Sequence, residues 1–179
     1  MILLMGIQGS GKGTQAALVA EAHGYMLLTL GDLIRAQATD EQRQRMLAGE
    51  LLRDDEAAAM IEQAVANMPE GTQYIMDGFP RSIPQAEWLL SQAAADPRFY
   101  IDHVIHLTAT RAAVKARLLN RGRADDNEAS IEKRFNEYER ATDPLFAWFE
   151  DHGLTVTDVD AERSVEAVNV DLVKIINNK

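Results

Sequence analysis

Cysteine is absent from the 179 residues, so neither disulfide bridges nor thiolate metal sites organise this chain. Positive charge is scarce: 18 Lys and Arg stand against 28 Asp and Glu, a formal net charge of −10. That balance argues against a nucleic-acid polymer or an anionic membrane as partner. No apolar run approaches the roughly 18 residues that a membrane-spanning helix needs. The opening "MILLMGI" lacks a basic leader and reads as structure rather than as a targeting signal, so a cytoplasmic location is expected. His23, His103, His106 and His152 are scattered without metal spacing, and no zinc is expected.

What remains is an ordinary globular composition, 46% apolar and 26% charged, long enough for one domain with a sizeable core. The scarce positive charge is clumped, most of all in "RAAVKARLLNRGR" (111–123). A local basic cluster on an acidic chain suits a small anion better than a polymer.

Strand-like and helix-like stretches alternate. "ILLM" (2–5), "YMLL" (25–28), "QYIMD" (73–77), "IDHVIHL" (101–107) and "LTVTDV" (154–159) read as strands. "TQAALVAEAHG" reads as a helix stopped by Gly24, and "SIPQAEWLLSQAAA" as one with Pro84 in its first turn. Near-continuous apolar strands separated by helices predict an α/β fold, a five-stranded parallel sheet covered on both faces. The gap between strands two and three is too long for a simple crossover. Its helical segments predict an insertion at 29–58 on a core formed by 1–28 and 59–179. "FNEYERATDPLFAWFE" reads as a core-packing helix broken or kinked near Pro144.

The first strand runs into "GIQGSGKGTQ" (6–15), where Gly6, Gly11 and Lys12 fit G-x-x-x-x-G-K. Glycines let successive backbone N–H groups curl into a nest for phosphate oxygens. The helix that follows adds its positive end, and Lys12 a full charge. Gly13 stands where the strict pattern has a hydroxyl, which arrives one residue later at Thr14, so a direct magnesium ligand is less clearly marked. This loop predicts a bound nucleoside triphosphate.

Transfer of a phosphoryl group to a second anion requires cations from several directions. Arg35, Arg81, Arg117, Arg121, Arg123 and Arg134 supply them. In "DGFPRSIPQAE" (77–87), Asp77 ends the third strand at the edge where open α/β sheets bind ligands. Gly78 and Pro80 turn the chain and aim Arg81 at the crevice. Gln85 offers a donor and an acceptor, the pair needed to read a base edge.

With "LGDLIR" and "RGRADDNEASIEKRFNEYERATDPL" these motifs resemble an adenylate kinase, within the nucleoside monophosphate kinases, in order and nearly end to end. The resemblance implies transfer of the γ-phosphoryl of ATP to AMP with Mg²⁺ as cofactor, in a monomer with a helical monophosphate-binding flap. It implies that Gly9, Ser10, Gly11, Lys12, Gly13 and Thr14 hold the ATP phosphates and that Arg117 stacks on the ATP base. Leu30, Arg35, Leu52, Gly78, Arg81 and Gln85 would surround AMP, Gln85 reading its adenine. Arg121, Arg123 and Arg134 would converge on the travelling group. Asp77 would orient water on Mg²⁺, with Thr14 and Asp125 as further water-mediated candidates and Asp126 helping to position the arginines.

The chain departs from the family at three points. Leu30 stands where a threonine usually precedes "GD", removing a polar base contact of about 1–3 kcal/mol. Arg53 replaces a proline in "GELLRDD". Gly122 alone separates Arg121 from Arg123, leaving a vestigial lid at about 121–126 and predicting more wasteful ATP hydrolysis. A pyrimidine or broad-specificity kinase is the nearest rival, favoured by Leu30 and opposed by Gln85. A P-loop ATPase, a GTPase switch or a nucleotide sensor is the rival of another class. No "NKxD" guanine signature occurs, "YIMDG" lacks an Asp-Glu pair, and a sensor would not need the arginine set.

Overall fold

Four successive apolar residues can be satisfied in one strand only if both faces of the sheet are covered. Ile2–Met5, the first strand (β1), meets that condition: all four side chains are buried. A computed structural model describes residues 1–47, 52–122 and 126–178. After β1 come α1 (Lys12–His23), β2 (Met26–Thr29), α2 (Leu30–Gln37), α3 (Asp40–Leu47), α4 (Asp54–Ala66), β3 (Tyr74–Asp77) and α5 (Ile83–Ala95). Then follow β4 (His103–Thr108), α6 (Arg111–Arg121), α7 (Glu128–Glu137), α8 (Pro144–Asp151), β5 (Val156–Asp160) and α9 (Val165–Asn177).

The five strands are all parallel, in the order β2-β3-β1-β4-β5. The α/β architecture expected from the alternating pattern is therefore present. The twofold side-chain period of a strand divides the core. Leu3, Met5, Tyr74, Met76 and Val104 pack with Ile61, Leu89, Leu145 and Phe149 from α4, α5 and α8. Ile2, Leu4, Ile75, Ile105 and Leu107 pack on the other face with Val19 of α1 and Leu172 and Ile176 of α9. A third cluster, Ile7, Val114, Leu118, Ile131 and Phe135, ties α6 and α7 to the first loop.

Strand bounds after β1 differ from the sequence pattern by one or two residues, and three differences have a local cause. Strand β2 begins one residue later than "YMLL", because Gly24 caps α1 in the left-handed conformation and Tyr25 is spent on the link. The insertion drawn at 29–58 ends inside α4, which continues to Ala66 because Ala57, Ala58, Ile61 and Val65 form one unbroken buried stripe. The break expected near Pro144 is already under way at a π-helical turn, Tyr138–Thr142, with Pro144 opening α8. None of the described helices is long and apolar enough to cross a membrane.

Candidate active site

In a parallel sheet all carboxyl ends lie at one edge, and ligands bind where the strand order reverses. Here the chain steps outward from β1 on one side and later returns to its other flank at β4. The loops above that point line a cleft of 1380 Å³. The phosphate loop forms one wall. A Cβ on Gly9, at φ +95°, would come within 2.9 Å of Leu118 Cγ, so only glycine lets the loop lie this close to α6. At Gly6, φ +136°, a Cβ would reach Leu107 O at 2.6 Å.

Helix α1 starts at Lys12 with no side-chain cap and no acidic residue in its first turn, leaving its positive end open to an anion. Gly13 and Thr14 are exposed on the cleft wall. The Ser10 hydroxyl is buried with no hydrogen-bond partner among the described residues. Lys12 Nζ donates to Gly6 O at 2.6 Å and Ile7 O at 3.0 Å. Desolvation in the cleft lowers its pKa to about 8, outweighing the opposite pull of Asp77.

The facing wall begins where β3 ends. Burial raises the pKa of Asp77, while Lys12 and Arg81 oppose the shift. Gly78 is in the left-handed region at φ +83°. The turn it permits brings the exposed Arg81 back, its Nε donating to Gly78 O at 2.7 Å. Gln85, only 5% exposed, accepts from the Arg81 backbone N–H and donates to Asp54 Oδ1, both at 2.7 Å. Arg35 lines the cleft from α2, paired with Asp32 one helical turn earlier. Leu52 also lines it, half-buried.

Further cations approach from the other side. Arg117 on α6 donates to Ser10 O at 3.3 Å and Ala161 O at 2.7 Å, bridging the phosphate loop and the turn after β5. Arg121 holds the Asp126 carboxylate with two hydrogen bonds, 2.8 and 2.7 Å, and Arg134 Nη1 reaches it at 3.2 Å. The Asp126 side chain is fully buried. Arg117, Arg121 and Arg134 all line the cleft. Arg123 and Asp125 lie outside the described residues.

Leu30 is not on the cleft wall. It is 3% exposed in the core, and its neighbour Thr29 lines the cleft instead. Three cleft residues carried no sequence signal of their own. Asp54 and Ser82 join Gln85 in a hydrogen-bonded ring. Tyr138 enters from the π-helical turn, its hydroxyl 2.9 Å from His106 Nε2. Tyr138 is four residues beyond Arg134, so the helical repeat puts it on the same face.

The adenylate kinase family profile matches residues 4–154. A protein named adenylate kinase from Parasynechococcus marenigrum (strain WH8102) is 36% identical over 98% of both chains. One from Corynebacterium glutamicum (strain R) is 33% identical over 98% of both, and one from Rhodococcus erythropolis (strain PR4 / NBRC 100887) is 37% identical over 94% of both. A phosphate loop at the switch point of a parallel sheet is shared by many nucleotide-binding proteins, but likeness that runs end to end is not, and this chain belongs to the adenylate kinase family.

Proposed function

We propose that the chain transfers the γ-phosphoryl group of ATP to AMP, reversibly, giving two molecules of ADP. The observation that carries this reading is the double-sided cleft. Its 1380 Å³ exceeds the roughly 300–1,000 Å³ of a single-ligand pocket. A phosphate loop forms one wall and Arg35, Arg81 and Gln85 the other, with arginines of α6 and α7 between. A hydrolase needs room for water, whereas a transferase needs a second anion site.

The chemistry asks little covalent work of the protein. A phosphate oxygen of AMP attacks the γ-phosphorus in line, and the bond to the β–γ bridging oxygen breaks as ADP departs. The loop amides and Lys12 hold the donor phosphates. Arg35 and Arg81 offset repulsion between the two anions, and Arg117 packs on the donor base. Arg121, Arg123 and Arg134 neutralise the charge that spreads over the travelling group.

Magnesium fits the donor set. Asp77 and Thr14 offer hard oxygens on the cleft wall, and Mg²⁺ is usually held by one or two carboxylates together with substrate phosphates and water. It would be held through water on Asp77, Thr14 and Asp125, and would supply positive charge that offsets the donor phosphates. We read the partners as ATP and AMP, and the working unit as a cytoplasmic monomer.

The test is ADP formation from ATP and Mg²⁺ with AMP, CMP, UMP, GMP or no acceptor. A strong signal with AMP alone is expected. Comparable rates with several acceptors would make this a broad monophosphate kinase. Acceptor-independent ADP formation would make it a hydrolase.

A further inference from the structure

Gln85 has two obligate partners, and together they settle which end of its amide is which. Its Oε1 accepts from the Arg81 backbone N–H, and its Nε2 donates to Asp54 Oδ1. A backbone N–H can only donate, and an ionised carboxylate can only accept. Turning the amide over would set donor against donor and acceptor against acceptor. With Gln85 only 5% exposed, little water is at hand to relieve that clash.

Asp54 is held in turn. Its Oδ1 also accepts from Ser82 Oγ at 2.9 Å, and Ser82 caps α5 by accepting from Gln85 N at 3.4 Å. Asp54 begins α4, so the ring joins the first turns of two helices. After these bonds the Gln85 amide keeps one N–H and one oxygen lone pair, on a side chain that lines the cleft.

The order of that remaining pair matters chemically. Adenine presents an N6 amino donor beside the N1 acceptor. Guanine presents an O6 acceptor beside an N1–H donor. An amide free to turn over would serve either edge, whereas a locked one serves a single order. We infer that Asp54 is a specificity-determining positioning residue, locking Gln85 in one orientation so that the acceptor site takes one purine edge and refuses the other. This rests on the proposed AMP site, which makes adenine the accepted edge.

The test compares kcat/KM for AMP and GMP, with ATP and Mg²⁺ fixed, in the wild type and in Asp54→Ala, Asp54→Asn and Asp55→Ala. Asp55 is exposed and contacts Arg53, so its removal controls for lost charge in the first turn of α4. Asp54→Ala is expected to reduce the AMP-over-GMP preference about tenfold or more. Asp54→Asn, whose Oδ1 still accepts, retains most of it, and Asp55→Ala leaves it unchanged. An unchanged preference in Asp54→Ala overturns the lock while leaving the AMP reading intact. A wild type without preference for AMP overturns that reading and the lock with it. Should Asp54→Ala fail to fold, ¹⁵N NMR of the ligand-free wild type decides. One of the two Gln85 Nε2 protons is expected to exchange with water far more slowly than those of an exposed glutamine. Two protons that both exchange as fast as in an exposed glutamine overturn the lock.

Discussion

Asp126→Asn changes one charge at constant volume, at a carboxylate that accepts three hydrogen bonds from two arginines among the described residues. A carboxamide keeps one acceptor oxygen and turns N–H groups toward a guanidinium that can only donate. Breaking a fully buried ion pair from one side costs about 3–5 kcal/mol. Here the Asp126 side chain is fully buried, but those of Arg121 and Arg134 are 30% and 21% exposed, so water recovers part of the loss. A destabilisation of about 2–3 kcal/mol remains, which for a chain of this size lowers Tm by roughly 4–12 °C. Turnover falls as well, because arginines released from their common anchor lose the alignment that catalysis needs, with a penalty of about 10². Thermal unfolding by circular dichroism without nucleotide reads the first effect, and kcat for ADP formation reads the second. A Tm within about 1 °C of wild type together with kcat within about twofold would refute the claim that Asp126 holds these arginines. A fall in Tm alone would make Asp126 structural and leave alignment to other groups.

Burial lowers the pKa of His106 below its ordinary value, against the opposing pull of Asp158. A histidine that resists protonation in the fold stabilises fully above its unfolded pKa and loses that contribution as pH falls through the lower folded value. Urea midpoints should therefore drop between pH 7.5 and 5.5 by less in His106→Gln than in wild type, and equal drops would refute the assignment. Gly9→Ala adds a Cβ at φ +95°, 2.9 Å from buried Leu118 Cγ. It should cost about 1–3 kcal/mol in denaturant unfolding and weaken ATP binding in calorimetry, whereas wild-type stability would show that the loop yields. Helix α6 ends at Arg121 and α7 begins at Glu128, leaving residues 122–127, about 20 Å of chain at full extension, to exclude water. Acceptor-free ATP hydrolysis should be a measurable share of the rate with AMP, and a negligible share would show that the cleft closes without a larger lid.

The sequence disclosed what depends on neighbours along the chain. Three glycines, a lysine and a preceding apolar strand define a phosphate loop wherever they occur, because the nest and the helix end are built from consecutive residues. The turn "DGFPR" was legible for the same reason. Side-chain direction was harder. Leu30 was expected beside the acceptor, yet β2 ends at Thr29 and α2 starts at Leu30. A shift of one residue exchanges the faces of an extended chain, so Thr29 faces the cleft and Leu30 enters the core. Partners distant in sequence were not legible at all. Asp54 and Gln85 are separated by 31 positions, and only the packing of α4 on α5 brings them together.

The cleft shows how an acidic chain holds a cluster of cations in place. Five of the cations on the cleft wall have internal acceptors of two kinds among the described residues. Lys12 and Arg117 donate to backbone carbonyls, as does Arg81 Nε. Carbonyls carry only a partial charge, and a phosphate oxygen is the stronger acceptor for a full cation. Those contacts hold the groups near their working positions and are readily exchanged for a nucleotide. Arg121 and Arg134 instead grip a buried carboxylate. Asp126 is too costly to strip of its partners, so they should keep it through the reaction. On this argument substrate binding redirects the loop lysine and the arginines paired with carbonyls, while the Asp126 pair stays as a fixed frame across the cycle.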